Sequence, residues 1–139
     1  MFKIVKTLTT WWPVKVFEPD PDPENVGKFA EYSFDIQFEI LDRDQSDELT
    51  RERNAILDIV KDSTAEDKLR ELERRLEEHN IKSFQRTIRN WRGVLDDDGK
   101  AFPFTNENLL IALKRNSFRE AVNAAYAEAI DSGKARLGN

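Results

Sequence analysis

The chain has 139 residues, 39% hydrophobic and 35% charged, with no cysteine and one histidine, His79. That length can bury roughly two-thirds of the unfolded surface without crosslinks or metals, and the charge exceeds the roughly 25% of an average domain, which points to a well-solvated, mostly helical surface. Without cysteine there are no disulfides, thiolate zinc sites or cysteine nucleophiles, and any catalytic triad has to be built on His79. The expectation is a single domain spanning 1–139, non-enzymatic and without cofactor or metal.

The net charge of −5 is unevenly spread. Residues 1–16 carry three lysines and no acid; residues 17–48 carry eleven acids against Lys28 and Arg43; the remainder is close to neutral. No basic field is available to collect phosphates, so nucleic-acid binding is not expected. No apolar run approaches the roughly 20 residues of a membrane helix, and the N-terminus lacks a secretory pattern, so the sequence reads as a soluble, cytoplasmic protein.

Residues 1–41 form the expected β-rich part. Phe2, Ile4 and Leu8 suggest the start of a strand, and Trp12, Val14 and Val16 alternate along another. Pro13 cannot donate to a ladder, which confines it to a strand start, an edge or a bulge. If Trp12 faces inward with Val14 and Val16, Trp11 and Phe17 face outward as an aromatic patch suited to a protein partner, unless a helix covers that side as well. Glu18 to Lys28 is acidic and interrupted by three prolines, a long exposed hairpin loop. It reads as a stiffened connection, with an acidic docking finger or a calcium site as the alternatives. The clearest strand follows, with Tyr32, Phe34, Ile36, Phe38 and Ile40 alternating with polar residues, so one face is buried.

Residues 44–131 are expected to be mainly helical. Ser46 can cap a helix carrying Leu49, Ile56, Ile59 and Val60; Ser63 with Glu66 forms a capping box for a second, with Leu69, Leu72 and Leu76 on a stripe. Ordinary amphipathic packing suits that stripe better than a coiled coil, since it lasts about two heptads. His79 falls at the expected end of this second helix, where the dipole favours it without a catalytic role. A third helix is expected from Ile81, Phe84, Ile88 and Trp91 at offsets 0, 3, 7 and 10, with Trp91 as a core anchor. Asp96 to Gly99 predicts a tight hairpin near 94–102; as an EF-hand loop it fails, because Val94 and Thr105 stand where acids are required. Thr105 caps a fourth helix with Leu109, Leu110, Ile111 and Leu113, and Ser117 with Glu120 boxes a fifth with Phe118, Val122, Tyr126 and Ile130 on one face. Gly133 is a candidate C-cap, and 132–139 is expected to be a frayed tail. The expected fold is α+β, a small antiparallel sheet of two or three strands packed on about five helices.

The series Trp91-Arg92-Gly93-Val94-Leu95-Asp96-Asp97-Asp98-Gly99, then Phe104-Thr105-Asn106-Glu107-Asn108-Leu109, with Ala121, Ala125-Tyr126 and Glu128-Ala129 beyond, resembles the C-terminal signature of tail assembly chaperones of long-tailed bacteriophages and prophages. Trp12-Pro13-Val14, the acidic proline loop and the Phe34 to Leu41 strand are similar to the N-terminal half of that family. The resemblance covers about residues 10–41 and 84–131. It implies a protein that holds the tape measure protein, recruits tail-tube subunits in the host cytoplasm and leaves the finished tail. Such genes often also yield a longer, frameshifted product. The family supplies no enzymatic residues. Trp11, Phe17, Leu109, Leu113, Phe118 and Tyr126 are the candidate partner-binding residues, and open sheet edges add possible self-association. The alternatives are a tail completion or head-tail connector subunit of the virion, or a small hydrolase built on clustered acids near His79.

Overall fold

Residues 1–59 and 66–131 are described by the computed structural model. Among them are three strands and four helices, an α+β arrangement, in the order β1 (Leu8–Pro19), β2 (Phe29–Ile40), α1 (Arg43–Asp58), α2 (Glu66–Thr87), β3 (Ile88–Arg92), α3 (Asn106–Ala112) and α4 (Asn116–Ile130). The chain divides into two compact units, Thr9–Phe38 with Arg89–Asn139, and Met1–Leu8 with Glu39–Ile88.

The first unit holds most of the sheet, ordered β1-β2-β3. Period-two alternation sends Val14 and Val16 of β1 and Ile36 and Phe38 of β2 into the core, at 9% exposure or less. Burial contributes about 1.5–3 kcal/mol for each such side chain. Pro13 lies within β1, and β1 is an edge strand, one of the few places a proline can occupy in a sheet. Tyr32, expected on the buried face, is instead 49% exposed. The twelve residues of β2 extend about 40 Å while the fifteen of α4 extend about 22 Å, so the helix cannot cover the whole strand.

The register of α4 on β2 follows from the same arithmetic. Phe118 stacks on Phe34 at 5.8 Å, and Tyr126 meets Phe38 edge-on at 5.2 Å. Eight helical residues rise about 12 Å and four strand residues about 14 Å, so the two spacings coincide. Phe118, Ala121, Val122 and Ala125 are buried, whereas Ile130 is 53% exposed. The buried stripe therefore runs along the alanines rather than on to Ile130.

Trp91 anchors this core, 4% exposed. Its Nε1–H donates to the Phe102 carbonyl at 2.7 Å, and its ring lies 5.1–6.1 Å from those of Phe102, Phe104 and Phe118. The predicted hairpin near 94–102 is present: Leu95 bridges Ala101, and the Asp96 N–H donates to the Lys100 carbonyl at 2.8 Å. Asp96 Oδ1 accepts from the N–H groups of Asp98 and Lys100, and Gly99 takes the left-handed φ of 77° that the turn requires. Thr105 caps α3 by accepting from the Asn108 N–H at 3.0 Å. Ser117 does not cap α4. That helix begins at Asn116, and the Ser117 hydroxyl donates to Glu18 at 2.9 Å, a carboxylate shared with Arg115 at 3.3 Å.

Phe2 and Ile4 form no strand; they are 88% and 91% exposed, and β1 starts at Leu8. The Glu18 to Lys28 segment is shorter as a loop than expected, since β1 runs to Pro19 and β2 starts at Phe29. Its ends are tied by the Asp20 N–H to the Lys28 carbonyl at 2.9 Å, with one 3₁₀ turn at Pro23–Asn25 between them.

The second unit contains the α1–α2 hairpin. Asp42, four residues before the expected Ser46, caps α1 in a reciprocal box with Gln45. Val60, Ser63 and the expected frayed tail with Gly133 lie outside the described residues. From Glu66 the helix runs unbroken through His79 to Thr87, so the expected second and third helices are one and His79 sits within it rather than at its end. The chain then passes directly into β3, which places Ile88 and Trp91 on a strand. Among the described residues there are thus four helices where about five were expected, and three strands, within the expected two or three, the third being Ile88–Arg92 rather than a strand from Phe2.

Candidate docking surface on the sheet

The alternation that buries Val14 and Val16 turns Trp11, Lys15 and Phe17 to the opposite side of β1. Trp11 is 37% exposed and Phe17 57%. Over the Trp11 ring lies the Arg92 guanidinium, 4.6 Å from the centroid. Arg92 Nε in turn donates to Asp35 Oδ2 at 2.9 Å. An aromatic from β1, a carboxylate from β2 and a cation from β3 are thus linked across all three strands. Exposed ion pairs contribute about 0–1 kcal/mol and an exposed cation–π contact a similar amount, so the cluster sets side-chain positions more than it stabilises the fold. Lys15 lies 3.9 Å from Glu31 on the same side, and Phe29 is 68% exposed near the loop end.

Of the six residues expected to meet a partner, Trp11 and Phe17 are at the surface. Leu109, Leu113 and Phe118 are 2%, 1% and 7% exposed, committed to the core and not available to a partner in this conformation. Tyr126 is half-buried, its ring against Phe38. Arg92, Asp35 and Phe29 were missed by sequence reasoning. Strand parity marks Asp35 and Phe29 as outward, but nothing local ties Arg92 to Trp11, 81 positions away in sequence.

The other charged segments have local roles. In the acidic loop, Asp20 and Asp22 accept from the N–H groups of Asp22 and Glu24, and Asp20 also from Asn25 Nδ2, all within 2.9–3.0 Å. These carboxylates hold the turn. Among the described residues there is no group of three or more His, Cys, Asp or Glu placed to hold a metal ion, and no helix is long and apolar enough to cross a membrane.

His79 lies in the second unit at 8% exposure, with Nε2 3.5 Å from Glu52 Oε2. Lys82 Nζ bonds both Glu52 oxygens at 3.0 Å. An open groove of about 600 Å³ adjoins them. Its carboxylates, Glu52 and Glu78, are paired with Lys82 and Arg74. Nearby, hydrogen bonds from Arg74 and then Arg75 lower the Glu71 carboxyl to about 2, and Glu71 raises Arg74 in return. Compared with family models, curated proteins and solved structures, the chain matches none.

Proposed function

We propose that this chain is a tail assembly chaperone of a long-tailed bacteriophage or prophage, a non-enzymatic factor of the host cytoplasm. In this reading it holds the tape measure protein, recruits the major tail tube protein, and is absent from the mature virion. The ordered series from Trp91 to Leu109 and the Trp12-Pro13-Val14 strand support the family. The observation that carries the binding role is the outward Trp11–Arg92–Asp35 cluster with Phe17 beside it. Large aromatics and arginine are the residue types that most often dominate interface energetics.

The same strand argues for the mode. A free edge would invite strand addition, but Pro13 interrupts β1, Pro19 ends it and Lys15 adds a charge, features that blunt an edge. Docking therefore uses the face of the sheet, with an amphipathic tape measure helix laid across Trp11 and Phe17.

The test is co-expression with tape measure segments followed by affinity capture. Trp11→Ala and Phe17→Ala should each weaken capture by about tenfold or more, as expected of interface anchors, while far-UV circular dichroism stays unchanged. A folded wild-type chain that captures no segment overturns the reading. Recovery of the chain from purified particles favours the virion-subunit alternative instead.

A further inference from the structure

The α1–α2 hairpin carries an apolar seam that it does not bury. Leu49 and Ile56 form the apolar stripe of α1, and Leu69, Leu72 and Leu76 that of α2, the latter at offsets 0, 3 and 7, with His79 continuing that row at offset 10. This is a coiled-coil spacing. Among the described residues of the two helices, His79 alone is buried, while Leu69 is 47% exposed and the other four are half-buried. Two helices meet along a single line and leave both flanks of that line wet; four helices enclose it. Neither ring nitrogen of His79 makes a hydrogen bond, though Glu52 Oε2 lies 3.5 Å from Nε2, and a polar side chain in a coiled-coil row can fix register and partner number.

We propose that the hairpin pairs with the same hairpin of a second copy of this chain, forming an antiparallel four-helix bundle with His79 near its centre. The size of the face fits. The 16 and 22 residues of α1 and α2 span about 24 and 33 Å, and two helices side by side are about 20 Å wide. Each copy thus offers roughly 500–650 Å², or roughly 1,000–1,300 Å² for the pair, at the level a specific interface needs. The charge pattern fits an antiparallel arrangement. Glu66 to Glu78 holds six acids and four bases, whereas the rest of α2 holds no acid, and its two bases, Lys82 and Arg86, pair with Glu52 and Glu39 of the same chain. Antiparallel pairing sets the acidic half of each α2 beside the acid-free half of the other; parallel pairing sets the two acidic halves together. Leu76 lies at the midpoint of α2, so a two-fold axis there brings Leu69 of one copy opposite Ser83 of the other. The inference does not depend on the assignment to phage tails.

Light scattering on the full chain, eluted from a sizing column at micromolar to sub-millimolar loading, should give the mass of a dimer. Leu69→Glu should weaken the dimer by at least about tenfold, a shift readily resolved by dilution, with helicity retained because Leu69 is half-exposed already. Ile111→Glu, on α3 and 54% exposed, is the control and should leave the dimer intact. Since the chain has no cysteine, Leu76→Cys should crosslink to itself under oxidation. Leu69→Cys and Ser83→Cys should crosslink only when mixed. A monomer at sub-millimolar concentration, a dimer indifferent to Leu69→Glu, or self-crosslinking of Leu69→Cys would each overturn the proposal.

Discussion

Replacing Trp91 with phenylalanine separates packing from polarity at the centre of the sheet unit. The substitution keeps an aromatic ring against Phe102, Phe104 and Phe118 but removes the Nε1–H that donates to the Phe102 carbonyl at 2.7 Å. Losing that bond costs about 1 kcal/mol, somewhat more because the carbonyl is left without this donor. The smaller ring forfeits a few buried carbon contacts and leaves a small void, another ~1–2 kcal/mol at a site only 4% exposed. The total is about 2–3 kcal/mol out of a stability on the order of 5–15 kcal/mol. Trp11→Phe is the matched control. There the ring is 37% exposed and its contact is Arg92, so the cost should stay below about 0.5 kcal/mol. Urea unfolding followed by far-UV circular dichroism reads both without relying on the tryptophans being changed. At a slope of about 2 kcal/mol per molar, Trp91→Phe should move the midpoint by about 1 M and Trp11→Phe by less than about 0.3 M. A Trp91→Phe cost under about 1 kcal/mol, or a Trp11→Phe cost equal to it, would refute this account of the core.

Thr105→Ala should destabilise the chain by about 1 kcal/mol, because α3 is only seven residues long and depends on the Thr105 cap; Thr105→Asp should restore most of it in the same melt. Gly99→Ala should cost about 1–2 kcal/mol in chemical unfolding, from the left-handed backbone alone, since nothing lies within 4 Å of the added methyl; Gly99→Asn should cost less. Arg74 and then Arg75 hold the folded Glu71 carboxyl at about 2, below its ordinary 4.5. Its contribution is therefore present above about pH 4.5 and is lost as pH falls from there toward 2. Acid titration of helicity should show a small decline in that window, smaller in Glu71→Gln and smaller again in high salt, because solvent reaches both side chains of the pair. A Glu71→Gln profile identical to wild type at low salt would remove the pair from the account.

The elements legible in the sequence are those fixed by neighbours along the chain. Phe34, Ile36 and Phe38 alternate strictly, Asp96 supplies a turn's acceptor and Gly99 its backbone freedom, and Thr105 meets an N–H three residues on. The junction between α2 and β3 had no such marker. Ile81, Phe84, Ile88 and Trp91 fit helical spacing, and no glycine or proline lies between His79 and Gly93 to stop a helix. The pairing of β3 beside β2 marks where the strand begins, and that contact is non-local. Ser117 failed as a cap for the same kind of reason, since Glu18, 99 positions earlier, takes its hydroxyl. Of the proposed docking cluster, parity along β1 places Trp11 and Phe17, but Arg92 comes from a strand whose spacing fits a helix.

The leucines show what an amphipathic stripe leaves undecided. Those of α2 at 69, 72 and 76 and those at 109 and 113 all recur at helical spacing, and periodicity ranks them equally. Their exposures differ greatly. Leu109 and Leu113 are sealed at 2% and 1%, and Leu69 stands at 47%. A stripe states that a face is apolar; whether it is covered depends on a second layer from elsewhere in the chain. Leu109 and Leu113 belong to a unit with three strands and α4 to pack against, while α2 has α1 beside it, itself without a buried residue. Identical sequence signals thus end as core in one unit and as half-wet surface in the other, and the second outcome is the one that calls for another molecule.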